Sequence, residues 1–77
     1  MNAREWIDAF AAELGADPPT NDEISRLLDV AGVAAHSSER IAAPITCWIA
    51  GRTGASLEEV EAAAARLSGS SEASDST

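Results

Sequence analysis

Apolar residues in this chain recur every three or four positions, the spacing of one face of an α-helix, and nowhere alternate as they would in a strand. The first stripe is Trp6, Ile7, Phe10, Ala11 and Leu14, with Arg4, Glu5, Asp8 and Glu13 falling mostly elsewhere. Asn2 and Glu5 have the spacing of a capping box, in which the cap side chain accepts from an early amide and the carboxylate reaches back. Gly15 is placed to end the helix in the left-handed conformation. Asp17-Pro18-Pro19 then forbids continuation, because proline lacks an amide hydrogen and restricts the residue before it.

A second helix opens on another capping box, Thr20-Asn21-Asp22-Glu23, with acids in the first turn where the helix dipole favours them. Its stripe is Ile24, Leu27, Leu28, Ala31 and Ala35, and Asp22 stands four residues before Arg26 in the favourable order. Gly32 and the alanines around it predict close approach of a neighbouring helix. The pattern fades at His36-Ser37-Ser38. The segment from Ile41 to Gly51 carries no charge. A helix apolar on every side is normally buried, so this one is expected at the centre of the fold. Either Pro44 is its first helical residue, or Ser38 caps a helix that Pro44 kinks. A break must fall near residues 37–43, since a straight helix at about 1.5 Å per residue would outrun the rest of the chain.

Gly51-Arg52-Thr53-Gly54 reads as a turn, and Ser56-Leu57-Glu58-Glu59 as a third capping box. The fourth helix points Leu57, Val60, Ala64 and Leu67 inward. The expected fold class is all-α: a four-helix bundle or compact four-helix cluster with a central apolar third helix. Its domain spans residues 1–68, and residues 69–77 form a disordered acidic, Ser-rich tail with nothing to bury.

Length and charge narrow the function. At 77 residues the chain is one domain that buries only about 60% of the surface its unfolded form exposes. Cys47 is the single cysteine, so no intramolecular disulfide can reinforce the fold. Oligomerisation, a metal or a larger protein would have to do so. A lone cysteine and a polar start without a leader pattern fit a reducing cytoplasm. No segment is long and apolar enough for a bilayer. Thirteen acids against five arginines give a net charge of −8, which phosphate backbones and anionic lipids repel. Nucleic acid and membrane are therefore not expected as partners.

Chemistry-bearing residues are sparse. His36 has Glu39 three residues on and Arg40 four on, the spacing of a polar cluster on one helical face. The group reads either as a small binding site or as a brace at the break between helices. Cys47 reads as a small buried hydrophobe, and no paired metal-ligand motif is present, so no cofactor and no metal are expected. Gly51-Arg52-Thr53-Gly54 lacks the glycines and lysine of a phosphate loop. No catalytic constellation emerges, and no enzyme activity is expected. Trp6 and Trp48 read as core residues, with an exposed interface role as the alternative.

Several pieces together resemble a small family of actinobacterial domains of unknown function. They are Glu5-Trp6-Ile7, Leu27-Leu28-Asp29-Val30-Ala31, His36-Ser37-Ser38-Glu39-Arg40-Ile41-Ala42-Ala43-Pro44-Ile45-Thr46 and Ala50-Gly51. The resemblance covers about residues 1–67, and its members stand alone or fused behind a molybdenum cofactor guanylyltransferase. It implies a non-catalytic accessory or protein-interaction domain near molybdopterin guanine dinucleotide biosynthesis, with that enzyme as partner. It also singles out His36, Glu39, Arg40 and Pro44 as a binding or structural motif. The residues leave two alternatives open: a self-associating homodimer, and a small ligand- or metal-binding domain centred on His36.

Overall fold

A computed structural model gives four helices: α1 (Ala3–Glu13), α2 (Asn21–Ser37), α3 (Ala42–Thr53) and α4 (Leu57–Ser76). It describes the backbone of residues 1–76 and the side chains of residues 1–68. The expected tail, 69–77, lies outside the residues whose side chains are described. No strand occurs among the described residues, and the class is all-α.

Each predicted capping box closes. The Asn2 side chain accepts from the Glu5 amide at 2.8 Å, and Glu5 accepts in return from the Asn2 amide at 2.8 Å. Thr20 and Glu23 do the same at the start of α2, and Ser56 and Glu59 at the start of α4. Each box satisfies amides that have no partner inside the helix. Gly15 ends α1 at φ 71°, and Gly54 ends α3 at φ 72°, in the left-handed region that glycine enters without steric cost. Gly51, Arg52 and Thr53 are helical, so the expected turn contracts to Gly54 and the residues after it.

The break after α2 falls where length requires it, between Ser37 and Ala42. Ser38 does not cap α3. Its hydroxyl donates back to the Ala34 carbonyl at 2.8 Å, satisfying the end of α2. Helix α3 starts at Ala42 without a side-chain cap. Pro44 is its third residue, inside the first turn, where a missing amide hydrogen costs nothing and no kink results.

Helix α2 is the platform of the fold: α3 and α4 each pack against it. Val30, 3% exposed, lies among them and is the most buried side chain described. Helix α3 is therefore not the central element. It has no buried residue of its own. Ala42, Ala43, Thr46, Cys47 and Ala50 are half-buried, whereas Ile41, Ile45, Trp48 and Ile49 are exposed. The helix turns its small residues toward α2 and its large ones to solvent. Small side chains let two helix axes approach closely, and that proximity selects the face when every face is apolar. Gly32, by contrast, faces open space. Among the described residues, helix α1 makes no substantial packing with any other helix. Its start is tied to that of α2 by Arg4, which donates to the Asn21 side-chain oxygen at 3.3 Å.

Arg26 clamps α2 to α4. Its Nε and Nη2 donate to the two carboxylate oxygens of Glu61 at 2.8 and 2.6 Å, and Nη2 also reaches Glu58 at 3.2 Å. A planar guanidinium meeting a carboxylate through two parallel bonds fixes orientation as well as distance. The expected Asp22 contact exists, at 3.7 Å, and is the loosest of the set. Hydrogen bonds from Arg26 hold Glu61 below the ordinary carboxylate range. Glu58 is held down first by its own backbone amide and then by Arg26. The same contacts raise Arg26 further above its ordinary value.

Two outcomes follow for stability. Val30→Ala removes two methyl groups from the packed junction and lowers the unfolding free energy by roughly 2 kcal/mol, measured by urea titration. For the clamp, a carboxyl whose pKa is depressed by folding adds stability that is complete above its unfolded pKa. It is lost as pH falls through the folded value. The α2–α4 contact therefore weakens as pH drops below about 4.3. Arg26→Gln lowers Tm at neutral pH and makes the acid limb of a Tm-against-pH profile shallower; an acid limb as steep as in the parent chain would show that Arg26 is not the cause.

Candidate functional site

Among the described residues, no hydrogen bond or ion pair joins the residues singled out around the helix break to one another. His36 lies on the last turn of α2, and Glu39 and Arg40 lie in the connection that follows. All three are exposed. No ion pair joins any two of them among the described residues. The connection breaks the helical register on which their three- and four-residue spacing depended. Pro44, also exposed, serves the first turn of α3.

His36 instead borders an open cleft of about 530 Å³. Leu28, Asp29, Gly32 and Val33 line it from α2, and Ser68 from α4. The Ser37 and Ser68 hydroxyls meet at 3.0 Å and join α2 to α4. A smaller cleft of about 290 Å³ lies over the junction of α2, α3 and α4, lined by Val30, Ser37, Thr46 and Leu67 among others. A third, of about 210 Å³, runs between α3 and α4 past Ile49, Ala50, Val60 and Ala63. Among the described residues no group of three His, Cys, Asp or Glu side chains could hold a metal ion. The polar groups lining these clefts are serine and threonine hydroxyls, the His36 imidazole, and the carboxylates of Asp29 in the first and Glu59 in the third. They offer hydrogen bonds to a ligand rather than a paired nucleophile and base.

The largest departure from an ordinary interior lies on α3 and α1. Ile41 is 73% exposed and Trp48 61%, with Ile45 and Ile49 also more than half exposed. Ile41, Ile45, Trp48 and Arg52 follow a four-three-four spacing, that of a seam by which one helix packs on another. The Arg52 guanidinium stands over the Trp48 ring, 5.1 Å from its centroid. It thereby covers part of the indole while keeping its charge in water. On α1, Trp6 and Phe10 stack with centroids 5.0 Å apart and planes 11° from parallel. They are 56% and 50% exposed, and Leu14 continues the stripe, also exposed. Ala11 and Ile7 occupy the more buried flank of α1.

Both tryptophans are thus surface residues, where the apolar patterns had suggested a core. Periodicity reveals that a helix has an apolar stripe but not what the stripe meets. The sequence also left the arginine clamp unread. Glu58 and Glu61 have the look of dipole-favoured acids at a helix start, and nothing local links them to Arg26, more than thirty residues away.

Among the described residues no hydrogen bond or ion pair holds the His36 imidazole, and removing it tests the bracing role directly. His36→Ala changes the unfolding free energy by no more than about 0.5 kcal/mol, as for surface positions in general. A loss above about 1 kcal/mol in urea titration would restore the bracing role.

A family model described as "Domain of unknown function (DUF6457)" matches residues 1–77. No curated protein and no solved structure matches the chain.

Proposed function

The chain belongs to that family of domains, and from this premise we propose that it is a non-catalytic protein-interaction domain acting through the outward faces of α3 and α1. One observation carries the reading: α3 spends its small residues on α2 and presents Ile41, Ile45, Trp48 and Ile49 to solvent. A monomeric surface rarely keeps large apolar side chains in such a row unless a partner covers them. Tryptophan and arginine, here Trp48 under Arg52, are the residue types that most often dominate binding energy. No helix among the described residues is long and apolar enough to cross a membrane, so insertion of a helix across a bilayer is not what covers them. The clefts beside His36 offer a small-ligand reading less support, since Asp29, which shares the larger of them, makes no hydrogen bond or ion pair with the imidazole among the described residues.

The resemblance around His36 to Thr46 supplies a setting: a cytoplasmic accessory role in molybdopterin guanine dinucleotide biosynthesis, with the guanylyltransferase as partner. Titration calorimetry of the chain against that enzyme is the direct test. Binding is expected, and Trp48→Ala weakens it by about 2 kcal/mol, about thirtyfold in Kd. No heat at any concentration would sink the accessory role. Undiminished binding by the variant would sink the assignment of the face.

A further inference from the structure

The outward faces of α1 and α3 differ in the sign of their charge, and no single copy brings them together. Residues 40–57 contain Arg40 and Arg52 and not one of the chain's thirteen acids. The α3 stripe is therefore a locally basic strip in a chain of net charge −8. Helix α1 has the opposite balance, with Glu5, Asp8 and Glu13 against Arg4 alone. Arg4 is already engaged by Asp8 at 3.2 Å and by Asn21. Glu13 lies two turns beyond Trp6, on the same side of α1 as the exposed stripe. Within one chain the pairing is not made: among the described residues α1 has no substantial packing on another helix. Asp17-Pro18-Pro19 stiffens the link that would have to fold it back.

We propose that a second copy of this chain covers these faces, the α1 stripe of each copy packing on the α3 stripe of the other in a two-fold symmetric dimer. The proposal rests on the reading of α1 and α3 as interaction faces and names what meets them. Area favours this pairing over α3 against α3. At about 150–250 Å² for a full aromatic side chain, the exposed parts of both stripes come to roughly 800 Å² per copy. Reciprocal contact then buries up to roughly 1,600 Å², the size of a standard stable interface. Two α3 stripes facing each other would bury only about 1,000 Å², at the lower bound for a specific interface, and would set like charges together. Reciprocity also closes the assembly at two copies, since each copy uses both of its faces.

Light scattering of the purified chain at high micromolar concentration is expected to give twice the 7.9 kDa chain mass. Phe10→Glu and Ile45→Glu each give a monomer with unchanged helical circular dichroism. Glu13→Arg, a surface change that leaves both apolar stripes intact, weakens dimerisation at least about tenfold at low salt, because it sets a cation against Arg52 on α3 and Arg40 just before it. A monomeric parent chain overturns the proposal, as does an open-ended oligomer. A Phe10→Glu variant that stays dimeric overturns it in favour of an α3–α3 contact, and a Glu13→Arg variant of unchanged affinity removes its electrostatic basis. A monomer that binds the guanylyltransferase through Trp48 would fail this inference and leave the proposed function standing. A dimer that ignores that enzyme would do the reverse.

Discussion

Everything in this fold depends on how α2 is used. It is the one helix that two others pack on, and Val30 is where they converge. A chain of this size has little interior to distribute, and the contacts on α2 absorb most of it. Around Val30 the junction is lined by Ala42 and Thr46 from α3 and by Ala64 from α4, all half-buried. The arginine clamp adds direction to that packing. Arg26 reaches across to two acids of α4, and its planar fork permits only a narrow range of helix orientations.

Using small side chains inside has a cost outside. Close approach of α3 to α2 leaves no room between them for Trp48 or the isoleucines, so these face solvent. The same logic holds on α1, where Ala11 takes the buried position and the stacked pair Trp6 and Phe10 remains exposed. The result is a domain whose largest apolar groups lie on its surface. Hydrophobic burial scales with apolar area removed from water, and here Trp6, Phe10, Ile41, Ile45, Trp48 and Ile49 keep half or more of their surface available to association. This is why the faces of α1 and α3, rather than the polar group near the helix break, carry the functional reading.

Charge is distributed to the same effect. The acids concentrate on α1, at the starts of α2 and α4, and near the chain end, and they are absent from the whole α3 region. At the helix starts they complete caps and favour the dipole. Their absence around α3 leaves an apolar strip with an arginine at each end. An incoming protein surface can therefore approach that strip without meeting the repulsion that the rest of the chain presents.

Local chemistry settled the elements from sequence alone. The capping boxes at Asn2, Thr20 and Ser56 and the left-handed glycine at Gly15 were legible because each depends on residues within four positions of one another, and the break before Ala42 because a straight helix would outrun the rest of the chain. The all-helical class followed from the spacing of apolar residues. What the chain by itself did not determine is which way each helix faces. An uncharged helix such as α3 has no polar side to mark its outside, so only the contact with α2 decided that alanines go in and tryptophan goes out. The amphipathic stripe of α1 was visible, but whether its own chain covers it is a matter of tertiary packing. The partners of Arg26 were hidden for the same reason, since ion pairs across more than thirty residues exist only once two helices have docked. The spacing of His36, Glu39 and Arg40 assumed a continuous helix, and the break at Ser38 takes Glu39 and Arg40 out of the register in which that spacing would bring them to the imidazole.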